Sequence, residues 1–342
     1  MTTQLITGSG ARFITDPAAA TFPAWQPGRK LTLSNTVGGF SAAAIFGIPP
    51  NEAAGSLLNA SQLGSFIWNG VQFCRCPDSG SGSGFEIYFL NSTAQNTQHR
   101  YNAVEPGKSG ESPPLDGTTN LLAQGFTDAT GKNALRVVKP AFWNGPGENS
   151  TGPIALNMRD VSETIATITY TWGLAGNDHI IQMDHSIVIP ADPVIQAFTQ
   201  LSPVPFFNYC PNFAPKAFTT QEWVHLTTGA TRSYTTGEVS TTEVLMNKTA
   251  DDNFACAQVF GAGMLGSGSV DAERGYRGLS GAGPFPFVNT YAWCSKVYAG
   301  GIPAGTLRAP VGWCFGTRAD LIGGSGAIVT AFANLPAASY PT

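Results

Sequence analysis

Two histidines, His179 and His185, each follow an aspartate in the stretch NDHIIQMDH (177–185). Paired Asp-His steps suggest a metal site or an acid/base pair. Strand geometry tests the first idea. On an extended chain His179, Ile181, Met183, His185, Ile187 and Ile189 share one face, and Ile180, Gln182, Asp184, Ser186 and Val188 share the other. At ~3.3 Å per residue the two imidazoles stand about 20 Å apart, too far to bind one ion. His185 lies on the apolar face and reads as a core histidine. Asp178 and His179 read as residues of a surface turn. Asp184, between Gln182 and Ser186 on the polar face, is the candidate acid of this stretch.

A second constellation is TTQEWVHL (219–226). Gln221, Glu222, Trp223 and His225 bring together an amide, an acid, a large aromatic and an imidazole. Sugar-processing sites need that mixture: a carboxylate for acid, base or nucleophile work, an amide to fix hydroxyls, and a ring to stack on the apolar sugar face. A third, QHRYNAVEPGKSGESPPLDG (98–117), is too irregular for a strand and reads as a loop carrying His99, Arg100, Tyr101, Asn102, Glu105 and Asp116.

These residues need a scaffold, and the composition points to a β-protein. Gly 40 and Pro 24 are high for 342 residues, and charged residues make up only 12%. With 42% hydrophobic and 11% aromatic residues the chain builds a large core. Strands are predicted at 85–91, 134–143, 164–172, 179–189, 243–247, 254–260, 289–298 and 326–332, where β-branched residues or alternation dominate. The segments 164–172 and 179–189 flank GLAGND and form a hairpin. The best helical segment is 50–67, weakened by Gly55 and Gly64. The expected fold is mainly β, a single large antiparallel sandwich over 1–342 with few short helices. The Gly/Pro-rich stretch 143–153 is the candidate subdomain boundary.

The same composition argues against several functions. Net charge is −4 and no Lys/Arg cluster occurs, so nucleic acid is not an expected partner. No run of 18 apolar residues is present, so no membrane-spanning helix is expected. Nucleotide loops, G-x-S-x-G and H-E-x-x-H are missing, and no cofactor or metal is expected. Cys74, Cys76, Cys210, Cys256, Cys294 and Cys314 lack zinc-ligand spacing; they form disulfides in any of 15 pairings or, as NFACAQVF and GWCFG suggest, sit buried as free thiols. MTTQLITGSGARF has neither a charged nor an apolar signal region. The low charge still favours a secreted, extracellular or periplasmic protein whose signal is absent from this chain, or a protein of a phage or virus particle.

Three segments carry a family resemblance. LLNASQLGSFIW (57–68) is similar to an N-x-x-D-x-G-R-x-I-Q segment through Asn59, Gly64 and Ile67, with Gln62 and Ser65 where the acid and arginine stand. RYNAVEPGKSGESPPL is similar to a W-N-P-x-x-x-G-D loop through Asn102 and Gly107, and TTQEW to a Q-E-L-P segment through Gln221 and Glu222. GIPAGTLRAPVGWCFGT looks like a final strand pair preceded by its turn. Together they resemble the galactose-mutarotase-like supersandwich proteins of polysaccharide lyases and sugar epimerases. That resemblance implies a glycan ligand and a carbohydrate-active β-sandwich.

The reading is therefore an enzyme that cleaves a polysaccharide or oligosaccharide. Hydrolysis would use Glu222 with Asp184 or Glu105, at about 5–5.5 Å for retention or about 6.5–9.5 Å for inversion. Tyr101, Trp143, Trp172 and Trp223 are the candidate stacking rings, and Gln221, Asn102 and His225 the polar binding groups. A lyase would use Tyr101 or His99 as base and Arg100 or Asn102 to neutralise a uronate, but a chain this poor in cations suits hydrolysis better. Two other classes stay open: a coat or appendage subunit that assembles into particles, and a glycan-binding module without catalysis. An enzyme would be a small homo-oligomer.

Overall fold

The structure is a computed structural model. It describes residues 31–46, 63–75, 84–91, 94–102, 122–127, 133–144, 159–189, 191, 196, 198–209, 220–235, 238, 240–264, 274–280, 288–294 and 296–342. Four strands, β1 (Leu31–Val37), β2 (Phe40–Phe46), β3 (Leu63–Trp68) and β4 (Val71–Arg75), form an antiparallel meander. The others are β5 (Gly84–Asn91), β6 (Ala94–Asn102), β7 (Leu122–Thr127), β8 (Asn133–Asn144), β9 (Arg159–Leu174), β10 (Asn177–Ile189), β11 (Gln200–Tyr209), β12 (Thr220–His225), β13 (Thr231–Ser233), β14 (Glu243–Lys248), β15 (Ala255–Phe260), β16 (Arg274–Ser280), β17 (Val288–Cys294), β18 (Lys296–Val297) and β19 (Gly305–Gly316). They form one 15-stranded sheet ordered β13-β12-β14-β15-β19-β10-β9-β8-β6-β5-β11-β17-β16, with β18 on β11 and β7 on β8. Two helices follow, α1 (Arg318–Leu321) and α2 (Ala327–Asn334). The fold is mainly β and antiparallel, as expected.

The centre of the large sheet explains the packing. Residues paired across strands point to one face. Ile181 pairs with both Trp172 and Trp313, which puts those rings and Phe315 on a common side. The small sheet lies there: Phe66 meets Phe315 at 4.6 Å and Trp172 at 6.1 Å, and Trp68 meets Phe254 at 5.8 Å. The two sheets thus share one aromatic interior, as in a sandwich. Helix α2 covers the opposite face. A Cβ on Gly312 would stand 3.2 Å from the Ala331 Cβ, so helix and strand are in close contact.

The hairpin at 164–189 is confirmed, as β9 and β10. Leu174 pairs with Asn177 around Ala175 and Gly176, whose φ values of 50° and 79° match a twist-compatible two-residue turn. Burial in β10 alternates as expected, with Ile181, Met183, His185, Ile187 and Ile189 buried and Val188 exposed.

Three expectations are corrected. Residues 327–334 form a helix rather than a strand. Ile328, Val329 and Thr330 favour strands, but Ala327, Ile328 and Ala331 make a helical stripe that buries against the sheet. The helix expected at 50–67 gives way to β3 over 63–67, while 50–62 lie outside the described residues. Residues 98–102, expected in a loop, complete β6 against β5. The stretch 143–153, named as the candidate subdomain boundary, lies outside the described residues from 145 on; beside it Phe142 pairs with Asp160 and Trp143 with Arg159. Cys256 and Cys314 are buried free thiols, as NFACAQVF and GWCFG suggested.

Candidate functional site

Gln221 and Glu222 are neighbours in β12 and project to opposite faces. Gln221 donates its amide to Asn247 Oδ1 at 2.7 Å. Glu222 accepts from Arg318 Nε at 2.9 Å and lies 3.7 Å from Lys248 Nζ, which also pairs with Asp252. Both carboxylate oxygens of Glu222 face cations. Asp184 is equally committed: Arg308 reaches it from β19 with a two-point contact of 3.1 and 2.6 Å. The same contact holds the Arg308 guanidinium above its ordinary value.

The two acids do not form a pair. Four strand steps, β12-β14-β15-β19-β10, put them about 19 Å apart across the sheet at ~4.8 Å per step. The register runs Glu222–Met246–Ala257–Cys314–Ile180, so Asp184 lies about 13 Å further along its strand at ~3.3 Å per residue. No glycosidic bond spans that gap. Glu105 lies outside the described residues.

Two of the expected stacking rings are core residues. Trp172 is fully buried and donates its indole N–H to the Asp178 carbonyl at 3.0 Å. Trp223 is fully buried and donates to Glu238 at 2.7 Å, with Arg232 5.6 Å from its ring centre. His225 Nδ1 accepts the Thr227 N–H at 3.3 Å and fastens the turn after β12. Tyr101 and Asn102 end β6; Tyr101 pairs in register with Trp143 of β8, so those two positions share a face. They sit six or seven strand positions from Glu222. His185 is fully buried.

The structure instead draws attention to His179, read from the sequence as a surface turn residue. Its Nδ1 lies 3.0 Å from the Phe315 carbonyl. A carbonyl only accepts, so Nδ1 carries the proton and Nε2 keeps its lone pair when the ring is neutral. Nε2 stands 3.8 Å from Asp320 Oδ1. Trp68 and Phe315 flank the imidazole at 6.0 and 5.9 Å between ring centres.

Asp320 is held by its own helix start. Thr317 caps α1, and Asp320 Oδ2 accepts the Thr317 N–H at 2.8 Å and hydroxyl at 2.7 Å. That leaves Oδ1 toward His179. Gly316 makes the approach feasible. Its φ of 150° favours glycine, and a Cβ there would fall 2.7 Å from His179 Nδ1 and 2.9 Å from Asp320 Oδ2.

The pair lies on a cleft of about 590 Å³ where three turns meet. The β9–β10 turn supplies Asn177, Asp178 and His179; the α1–α2 region supplies Asp320, Ser325 and Thr330; the β1–β2 turn supplies Gly38. Gly326 caps α2 without a side-chain bond, so its first-turn N–H groups receive no acceptor from the cap residue. The lining holds two carboxylates and no Lys or Arg. Among the described residues no His, Cys, Asp or Glu group of three or more is placed to hold a metal ion. Cys314 is no nucleophile, since burial pushes its thiol far up.

Sequence reading missed this site because its halves lie far apart in the chain. The usable signal was Thr317-x-x-Asp320, a capping box that opens a helix just beyond a long strand.

No protein-family model matches the chain, and no curated protein does. Among solved structures it is similar to a presumed aldose 1-epimerase from Escherichia coli K12, at 8% identity and a TM-score of 0.41, over 84% of this chain and 99% of that one. The likeness is one of fold, and it carries no residue, substrate or mechanism across to this chain.

Proposed function

We propose that this chain is a carbohydrate-active protein whose cleft beside His179 takes a neutral saccharide. The observation that carries the reading is the His179–Asp320 pair. Two proton acceptors, 3.8 Å apart, face one another at a cleft wall, and each has its other polar atom engaged by the protein. A sugar hydroxyl set between them donates to either. A proton taken by Nε2 yields an imidazolium whose charge Asp320 opposes, which is the arrangement that general acid–base chemistry requires.

The cleft supports the same reading by size and lining. Its volume of about 590 Å³ falls in the roughly 300–1,000 Å³ range of small-molecule sites. Asn177, Ser325 and Thr330 are neutral hydrogen-bonding groups suited to a polyol. Asp178 and Asp320, with no lining cation, repel a uronate. A neutral sugar therefore fits better than the polyanion a lyase would need.

The test is nuclear magnetic resonance titration of the full chain with neutral mono- and disaccharides, alongside optical rotation and reducing-end assays. The expected result is saturable shifts at Asn177, His179 and Thr330, with turnover lost in His179→Gln and Asp320→Asn while binding persists. Reducing-end release would assign hydrolysis; a change of rotation without it would assign interconversion of sugar forms. Saccharides that leave those resonances unmoved would overturn the proposal.

A further inference from the structure

Beyond Gly38, where the cleft lining ends on the β1–β2 turn, stands an aromatic side chain that the acid–base pair does not use. Phe40 opens β2 and is 45% exposed; Val188 and Val297 are the other large hydrophobic residues exposed among those described. A single exposed apolar residue needs no explanation. The position of this one gives it meaning. Its ring meets Trp68 edge-on at 5.8 Å, and Trp68 meets His179 at 6.0 Å, so the Phe40 ring lies at most about 12 Å from the imidazole. Trp68 is a firm base: it is 2% exposed and donates its indole N–H to the Val37 carbonyl at 3.0 Å.

A Cβ on Gly38 would stand 3.7 Å from His179 Cε1, and Gly39 links Gly38 to Phe40 along the chain. The two glycines form the β1–β2 turn at φ 59° and 83°, values that favour glycine. Gly38 lines the cleft, and the Cβ that Gly39 lacks would meet nothing within 4 Å. The way from His179 to Phe40 therefore crosses bare backbone with its peptide groups open to a ligand.

We infer that Phe40 is an outer sugar subsite and that the ligand is a neutral oligosaccharide rather than a free monosaccharide. One unit lies at His179, the chain continues over the Gly38–Gly39 turn, and a further unit rests its apolar face on the Phe40 ring. This rests on the cleft being a saccharide site.

The experiment titrates the full chain calorimetrically with two neutral series of one to four glucose units, the β-1,4-linked and the α-1,4-linked. Wild type gains affinity with length. Phe40→Ala loses at least five-fold for the longer members and leaves the monosaccharide unchanged, Phe40→Trp keeps the gain, and thermal midpoints of both variants stay at wild type. Equal affinity for every length, or a Phe40→Ala loss that falls equally on the monosaccharide, overturns the subsite while the cleft reading stands. Failure of every length to bind overturns both.

Discussion

Arg318 donates to Glu222 at 2.9 Å, and through that bond the strand β12 holds the helical turn that carries Asp320. Arg318 also gives its backbone N–H to the Asp252 carbonyl at 2.9 Å and a guanidinium N–H to Thr231 at 3.0 Å. The residue that looked most like a catalytic acid is thus a tether for one member of the candidate pair. Glu222→Gln removes the charge and leaves Arg318 and Lys248 facing a neutral amide. The expected cost is about 1–3 kcal/mol of stability, measured by urea denaturation, with the cleft's ligand affinity reduced a few-fold. A variant of full stability and no turnover would instead restore Glu222 as a catalytic group.

Gly316→Ala tests the close approach between His179 and Asp320. The new Cβ would stand 2.7 Å from Nδ1, at a backbone angle alanine avoids. Strain of this kind costs on the order of 1–3 kcal/mol. The ring must also leave the Phe315 carbonyl. Imidazole nitrogen shifts should therefore move from the Nδ1–H form toward a tautomer mixture. Unchanged shifts would mean the ring is not held as described.

What was legible in the chain was local. The β9–β10 hairpin showed itself because alternation and a turn sequence agree within one stretch, and the buried set of β10 followed from a period of two. The geometry of the candidate site was not local. His179 meets the Phe315 carbonyl across 136 residues of sequence, and Glu222 meets Arg318 across 96. No short pattern records such a meeting. Helix α2 was misread for a related reason: Ile328, Val329 and Thr330 carry strand propensity, and only the apolar face of the sheet beneath decides for a helix. Asp184 looked anomalous on its strand because Arg308, its partner, belongs to β19.

Acid should unfold the protein partly through the cluster around Arg232. Hydrogen bonds from its guanidinium hold Glu243 and Glu238 below the usual carboxylate value of 4.5, with Trp223 adding to the effect at Glu238. A carboxyl depressed in the folded state binds protons more readily once unfolded. Its contribution is therefore complete above about pH 4.5 and fades as pH falls through the folded value. Arg232→Met should lower the thermal midpoint at pH 7 and flatten its decline between pH 4.5 and more acid solution. An acid limb as steep as that of wild type would show that other groups govern it.

The two buried indoles separate packing from ligand stacking. Trp172 and Trp223 are fully buried, and each donates its N–H inside the protein. Replacement by alanine empties a large core site, at a cost of about 3–5 kcal/mol. Phenylalanine keeps most of the apolar volume and forfeits the hydrogen bond, which is worth about 1 kcal/mol net. Trp223→Phe is the sharper case, because Glu238 keeps its bond from Arg232 when the indole is gone. Denaturant midpoints for the four variants should fall in that order, with both phenylalanine forms retaining ligand affinity. Selective loss of affinity in Trp223→Phe at unchanged stability would return that ring to the list of sugar-stacking residues.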